Sequence, residues 1–560
     1  MSQRRWNVLP ALPPGRLASV SGFPPIVAQL LFNRGLGGAA DLDSFLCADA
    51  RLCGDPELLP AMPQAVARLY RALLSGEKIA VYGDFDTDGV TATALMVEGL
   101  SRLKADVVPY IPHRLTEGYG LKPAALEGLY NQGVSLVVSV DCGISGLAAV
   151  RRAKRLGLDI IITDHHVPPE TLPAALAIVD PKLPGSGYSF ADLSGAGVAL
   201  KLLQALLRTV GREEETSGLL DLVALGTVAD MVPLVGENRY LVKEGLKQLN
   251  GAPRLGLREL LARSGAGPGE IDSERISWVL APRLNAAGRL DHAMASYNLL
   301  TTVRAEEAQT IAGWLEEKNA ERQALTAKAL AVAREQVVAR GLQPVLFAGD
   351  ADFPAGICGL VASRLAEEFY RPAVVVRIGD QLSSGSCRSI PEFNIVDALT
   401  RCGHLFTHFG GHAQAAGFGI LTRRLDTLAQ SLLETAGAQF AGLDLRPTID
   451  IDVEVRLSEL GGNVFPMIQR MAPFGQGNPL PVFLSRRVEV LERRLLGSKG
   501  EHLRLKVKQA GTVWDAIAFG MGAEAAKAHS LLDIVYNLEV DRWNGAERLR
   551  LNVLDFAPSV

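Results

Sequence analysis

Between residue 78 and about residue 230, short runs rich in Val and Ile alternate with stretches of helical period. KIAVYGD (78–84), DVVPYIP (106–112), SLVVSVD (135–141), DIIITD (159–164) and LAIVD (176–180) lack the polar alternation of a half-exposed strand. They predict strands buried on both faces. Helical patterns fill the gaps at 89–103, 123–132, 145–156 and 195–210, the first entered from Gly89 and the second opened by Pro123. Such alternation implies an α/β fold with a parallel, doubly wound sheet and right-handed crossovers.

Further along, residues 301–340 are charged and Ala-rich, with no Pro and no Gly between Gly313 and Gly341, and predict one long connecting helix. PVLFAGD (344–350), a helix near 356–369 and PAVVVRIGD (372–380) start a second, smaller α/β domain whose last helix is expected near 423–438. From about Arg446 the pattern turns all-β: TIDIDVEV, PVFLSRRVEVLERRLL, HLRLKVKQ, TVWDAIAFG and ERLRLNVLDF form a five-strand-like series suited to an OB-type barrel. The expected organisation is an extension over 1–60, a first domain over 61–300, the connecting helix over 301–340, a second domain over 341–445 and the barrel over 446–560.

Composition narrows this picture. The 560 residues carry 57 Lys+Arg against 61 Asp+Glu, a formal charge of −4, with 48% hydrophobic and 21% charged residues. That balance excludes a disordered chain and a uniformly basic nucleic-acid coat, though not a local basic surface. Six cysteines without CxxC spacing argue against a disulfide framework or a zinc ribbon. No signal-peptide core and no run of about 18 apolar residues is present, so a soluble cytoplasmic protein without a membrane partner is expected.

The acids of the first domain fall at strand ends. Asp84, Asp86 and Asp88 follow the first strand, Asp141 ends the third, Asp164-His165-His166 end the fourth, and Asp230 lies in GTVAD at a helix end. The carboxyl ends of parallel strands converge on the crevice where ligands bind. Several carboxylates gathered there repel one another unless a cation neutralises them. Oxygen ligands with one or two imidazoles favour Mn²⁺ or Mg²⁺, and so many ligands suit two ions and metal-assisted phosphoester or phosphoanhydride hydrolysis. A single DxD or an adjacent His pair is more often a helix cap or surface feature; it is their joint occurrence at successive strand ends that carries weight.

GDFDTDG, Asp141 in SVDCG, TDHH and GTVAD resemble the four motifs of the DHH phosphoesterase superfamily, in order, and LSSGSCRS (382–389) with GGHAQAAGFG (410–419) resembles the paired glycine-rich motifs of the DHHA1 domain. PHRLTEGYG (112–120), PRLNAAGRL (282–290) and PFGQGNPLPVF (473–483) are similar to segments of the RecJ family of bacterial single-strand-specific 5′→3′ exonucleases. The resemblance implies a DHH catalytic domain, a DHHA1 substrate-binding domain and an OB-fold domain, acting in DNA recombination and repair. It implies that Asp141 bridges two metals, that Asp88, His165 and Asp230 complete one shell, and that Asp86 holds the other ion with Asp84 nearby. His166 would face the scissile phosphate, and Asp164 would orient the imidazoles. Phe85 and Thr87 stand where many relatives have Tyr and Ala.

Arg114, Arg283, Arg289, Ser386 and Arg388 are candidates for a pocket that, by the same resemblance, grips the 5′-terminal phosphate, with Gly410, Gly411 and His412 as further contacts. Gly410 and Gly411 would alternatively serve only a tight turn. Between Arg486 and Lys508 eight basic residues face three acids, a local net of +5. Arg486, Arg487, Arg504, Lys506 and Lys508 on these barrel strands are candidates for tracking a single strand, the bland reading being a solvated β-face. Tyr119, Phe474 and Trp514 are stacking or core aromatics. The family further implies a monomer that meets single-stranded DNA, single-strand-binding protein and a RecQ-type helicase. Two other readings stand beside an exonuclease: a phosphodiesterase for short oligoribonucleotides or cyclic dinucleotides, and a non-catalytic single-strand-binding scaffold.

Overall fold

The computed structural model describes residues 4–13, 22–265, 271–541 and 547–559. They form two compact units, one built from 1–53, 233–240 and 446–560, the other from 54–232 and 241–445. Strand β1 (Arg5–Val8) belongs to the former.

The larger unit opens with a parallel sheet of β2 (Lys78–Tyr82), β3 (Asp106–Tyr110), β4 (Val134–Val140), β5 (Asp159–Thr163) and β6 (Ala177–Val179), in the order β3-β2-β4-β5-β6. Ile79–Tyr82, Leu136–Val138 and Ile160–Ile162 are buried, which is why these strands read as unbroken apolar runs. Leu126, Leu129, Ala149, Val150 and Ala153 from helices Pro123–Asn131 and Leu147–Leu156 cover one face. Strand order reverses between β2 and β4, so the crevice outside their carboxyl ends is the switch point of the sheet. Asp84, Asp86 and Asp88 follow β2 there, Asp141 follows β4, and Asp164 follows β5.

The helix expected from Gly89 starts earlier, at Thr87, because Asp86 caps it: its carboxylate accepts the Gly89 amide at 3.1 Å. Asp88 is thereby fixed in the first helical turn. The long helix runs Ala305–Ala339, and Thr302–Arg304 break it from the preceding helix Met294–Thr301. Its second half buries Ala329, Ala333 and Val337 against β7 (Leu346–Asp350) and helix Ala355–Phe369. A second sheet adds β8 (Ala373–Arg377), β9 (Leu382–Arg388), β10 (Phe406–His412) and β11 (Ala415–Leu421) in the order β10-β11-β9-β8-β7, parallel only between β7 and β8.

In the smaller unit TIDIDVEV is not one strand. β12 (Thr448–Ile451) pairs in parallel with β1, and β13 (Val453–Glu454) pairs with β14 (Phe483–Leu496). Asp452 makes the break: buried, it accepts the Val482 amide at 3.0 Å and the Asn33 side chain at 3.1 Å. β15 (His502–Gln509), β16 (Thr512–Ala518), β17 (Leu531–Asp541) and β18 (Arg548–Pro558) follow, and β14 pairs with both β15 and β17, closing a five-stranded OB-like barrel. β17 is absent from the strand series read in the sequence and takes the barrel place given there to TIDIDVEV. Apolar residues of helices Pro25–Asn33 and Ala39–Cys47 share one core with the barrel, among them Leu30, Leu31, Phe45, Leu457, Phe483 and Tyr536. Among the described residues no helix is long and apolar enough to cross a membrane.

Candidate metal centre and phosphate pocket

Asp84, Asp88, Asp141, Asp164 and His165 are all buried at the switch point, and Asp230 joins them from the end of helix Leu220–Ala229. His165 Nε2 lies 3.1 Å from Asp141 Oδ1, 3.6 Å from Asp230 Oδ2 and 4.0 Å from Asp88 Oδ2. Burial, then the neighbouring His166, pushes His165 down to about 3, so its imidazole is neutral. A neutral ring nitrogen converging with three carboxyl groups is a donor set that suits a shared cation. His165 Nε2, Asp84 Oδ1 and Asp141 Oδ1 are buried without a hydrogen-bond partner among the described residues.

The carboxylates tell the same story. Asp141 is held well above the carboxylate range by burial and by Asp88, Asp86, Asp230 and Asp84; Asp84 rises through burial and Asp86. Asp88 is pushed up to about 7 by burial and Asp86, Asp230 to about 8 by burial, Asp88 and Asp86. Two like charges at such spacing repel by ~3–4 kcal/mol at an effective dielectric of about 20, enough to keep protons on unless a cation replaces them. Ligand atoms of Asp88, His165 and Asp230, and separately of Asp84, Asp86 and Asp141, lie within 4.8 Å of one another. The donor set fits divalent cations.

Backbone geometry aims these groups. Asp141 adopts φ +60°, a left-handed conformation that turns its carboxylate out of the line of β4 and into the crevice. A Cβ at Gly195 would come within 2.4 Å of Asp141 Cβ, and one at Gly226 within 2.4 Å of Asp88 Oδ1. The Gly195 and Ala196 amides, at the start of helix Gly195–Thr209, bind Asp88 from below at 2.6 and 2.9 Å.

Asp164 is engaged within the protein: its carboxylate accepts the amides of Ile144, His165 and His166 and lies 2.7 Å from His166 Nδ1. Burial works against its charge, yet the His166 bond holds it below its usual range. Burial likewise opposes charging His166, but Asp164, Asp230 and Asp86 carry it up to about 9. With Nδ1 turned to Asp164, the proton on Nε2 is the one available outside. Tyr119 is tied to His166: its hydroxyl lies 3.2 Å from His166 Nδ1 and its ring meets His166 edge-on. His412, at the end of β10, lies parallel to His166 with ring centroids 6.2 Å apart. Gly411 needs its φ of +150°, and a Cβ there would strike Ala415 O at 2.2 Å; nothing lies within 4 Å of the Cβ direction of Gly410.

Arg114 stacks over Phe85 at 4.6 Å; among the described residues the Arg388 side chain donates only to the Cys387 carbonyl and that of Arg289 only to the Gly356 carbonyl, at 3.2 Å. None has a carboxylate ion pair among the described residues. Burial and the guanidiniums of Arg114, Arg322 and Arg388 push Arg289 down to about 9. Gly359 leaves room for Arg388, where a Cβ would come within 3.1 Å of Nη2. Arg289 and Arg388 gather beside the start of helix Ala355–Phe369, whose first turn has no side-chain cap. Ser386 faces Val375 and Gly417 in the sheet beside it. Arg283 does not stand free: Glu316 of the long helix binds its Nε and Nη2 at 2.6 and 3.1 Å.

Sequence reading missed Asn285 and Gly288 in PRLNAAGRL. Asn285 Oδ1 accepts the Thr87 amide at 2.9 Å, and a Cβ at Gly288 would meet Phe85 O at 2.4 Å. The only signal was the run of small residues, which lets this helix lie against the metal loop. The barrel cations are mostly compensated: Arg486 pairs with Glu454 and Asp533, Arg504 with Asp515, and Lys506 and Lys508 stand 3.9 Å from Glu492 and Glu489. Among the described residues Arg487 and Arg494 have no side-chain ion pair. Trp514 donates to the Leu457 carbonyl and, with Phe474, packs on the core.

Comparison with known proteins agrees with this geometry. Residues 78–227 match the DHH family N-terminal domain, 338–438 the DHHA1 domain and 451–555 the RecJ OB domain. The chain is 37% identical over 540 residues to the single-stranded-DNA-specific exonuclease RecJ of Bacillus subtilis, covering 96% of this chain and 68% of the relative. It is 33% identical to the RecJ of Escherichia coli, covering 96% of each. The crystal structure of RecJ in complex with Mn²⁺ from Thermus thermophilus superposes with a TM-score of 0.86 at 30% identity, covering 100% of this chain and 80% of that one; the Mg²⁺ complex gives 0.79 at 29%, covering 100% and 79%. The crevice acids thus form a divalent-cation site, and the chain belongs to the RecJ family of single-stranded-DNA-specific exonucleases.

Proposed function

We propose that this exonuclease removes nucleotides from the 5′ end of single-stranded DNA with two divalent ions, Mn²⁺ or Mg²⁺. The observation that carries it is a cluster of mutually repelling buried acids beside unpaired arginines on the same crevice. Asp88, His165 and Asp230 would hold one ion and Asp84 and Asp86 the other, with Asp141 within reach of both. Bound there, such ions neutralise charge developing on the phosphoryl oxygens and lower the pKa of water. The protein's own groups do the rest. Arg114, Arg289, Arg388 and Ser386 bind the 5′-phosphate and set the register of the cut. His166, kept protonated through Asp164, donates from Nε2 to the scissile phosphate or its leaving oxygen, and exposed His412, whose ring lies parallel to that imidazole, is a further contact for the strand. Family membership alone supports a cytoplasmic setting with single-strand-binding protein and a RecQ-type helicase as partners.

The test is substrate choice in Mn²⁺. Long 5′-phosphorylated single strands should be degraded in preference to dinucleotides; a preference for dinucleotides would overturn the reading. Arg388→Ala should lower kcat/KM on 5′-phosphorylated strands roughly 10- to 100-fold, the size of lost charge-assisted hydrogen bonds. For the barrel, Arg494→Ala should reduce the salt slope of strand binding by ~0.7, while Arg504→Ala, whose charge Asp515 already offsets, should change it less. Equal slopes would remove Arg494 from the strand path.

A further inference from the structure

The long helix Ala305–Ala339 places Arg322 near its middle. Leu325, one turn on, packs in the same apolar cluster as Leu290, the neighbour of Arg289. One nitrogen of Arg322, Nη2, donates to Asn319 Oδ1 at 2.8 Å, and Asn319 is itself buried. Its Nε is buried and meets no acceptor among the described residues. No carboxylate among the described residues pairs with it.

The charged groups that act most on Arg322 are guanidiniums, those of Arg283 and Arg364. It is one of the cations that hold Arg289 low, and its own value is lowered by burial and then by Arg283 and Arg364. Arg283 is neutralised by Glu316, and Arg364 lies 3.4 Å from Glu367. Arg322 alone in this outer group has no compensating acid. A buried N–H donor without an acceptor, set among like charges, is unfavourable in the free protein. An anion supplied from outside relieves both conditions at once. A structural role through Asn319 uses only Nη2 and leaves the Nε donor unexplained.

We infer that Arg322 is a further positioning residue for the 5′-terminal phosphate, its Nε–H donating to the group that Arg114, Arg289 and Arg388 hold. The inference rests on the 5′-phosphate reading given above. It also assigns the long helix a share in reading the end of the strand.

The experiment measures binding of a 3′-labelled oligothymidylate, with a 5′-phosphate or a 5′-hydroxyl, by fluorescence anisotropy in EDTA, so that no cleavage intervenes. The quantity read is the ratio of the two dissociation constants. Wild-type protein should prefer the phosphorylated end, and Arg322→Gln should reduce that preference at least five-fold. Arg322→Lys, which keeps the charge but not the Nε–H fork, should restore it only in part. An undiminished preference in Arg322→Gln, or a fall in both affinities together at constant ratio, would assign Arg322 to helix packing and overturn the inference. Absence of any preference in wild-type protein would instead overturn the 5′-phosphate reading itself. Should Arg322→Gln fail to fold, as judged by circular dichroism, the ratio in Arg322→Lys decides: full wild-type preference refutes the Nε contact.

Discussion

Asp141→Asn is expected to abolish cleavage, by about three orders of magnitude or more, while leaving single-strand binding close to wild type. Asp141 is the carboxylate that approaches His165 at 3.1 Å and shares a ligand cluster with Asp84 and Asp86, so its loss affects both halves of the cation site. The amide preserves volume in a position where Gly195 already lies against the side chain. It also removes a buried acid that burial and its carboxylate neighbours hold well above the usual range. The metal-free variant should therefore melt higher than the metal-free wild type, an increase that only an electrostatic liability explains. Single-turnover cleavage of a labelled strand, anisotropy and a thermal melt measure the three effects. Undiminished turnover, or a lower melting temperature without metal, would contradict the proposed site.

A second large effect should appear without any substitution. In metal-free protein, stability should fall between about pH 6.5 and 9, and saturating Mn²⁺ should abolish or reverse that slope. The sign follows from the folded-state values. Asp88 near 7 and Asp230 near 8 lie above the unfolded carboxylate value, and His166 near 9 above the unfolded imidazole value. A group raised on folding contributes stability that is full below its unfolded pKa and is lost as pH climbs through its folded one. His165, depressed to about 3, acts in the opposite sense, but only below its unfolded value near 6.5. Above pH 6.5 the remaining terms therefore share one direction, with a combined effect on the order of several kcal/mol. Urea unfolding in EDTA and in Mn²⁺ across this range measures it. Cation binding should release protons in the same window, and a flat metal-free profile would contradict the burial and repulsion assigned to these acids.

Much of this was legible in the sequence because parallel strands buried on both faces leave long apolar runs, and because the residues after such runs must meet at one crevice. The reading faltered where a polar side chain sits inside a β element with a partner far along the chain. β17 carries Asp533, which accepts from Arg486 and the Arg487 amide, and Asn537, which donates to the Pro481 carbonyl. Those polar positions disguise a barrel strand. Asp452 similarly hides a break in what reads as one run. The fate of a given arginine was equally opaque. Arg283 and Arg289 share a motif, yet Glu316 takes the first and leaves the second, and Arg322 lies in a helix that reads as a spacer. Residue type and spacing place a charge on an element; only the fold decides what faces it.

The pairing of β1 with β12 has a consequence for how the chain is made. Arg5 aligns with Thr448, and helices Pro25–Asn33 and Ala39–Cys47 bury their apolar faces in a core completed by residues beyond 446. On a ribosome adding ~5–20 residues per second, those helices emerge roughly 20–90 s before the strands that cover them. The larger unit, whose sheets form from nearer neighbours, has time to fold in that interval. The early helices meanwhile present Leu30, Leu31 and Phe45 to the surroundings, so nascent-chain chaperones should hold this segment until the barrel closes.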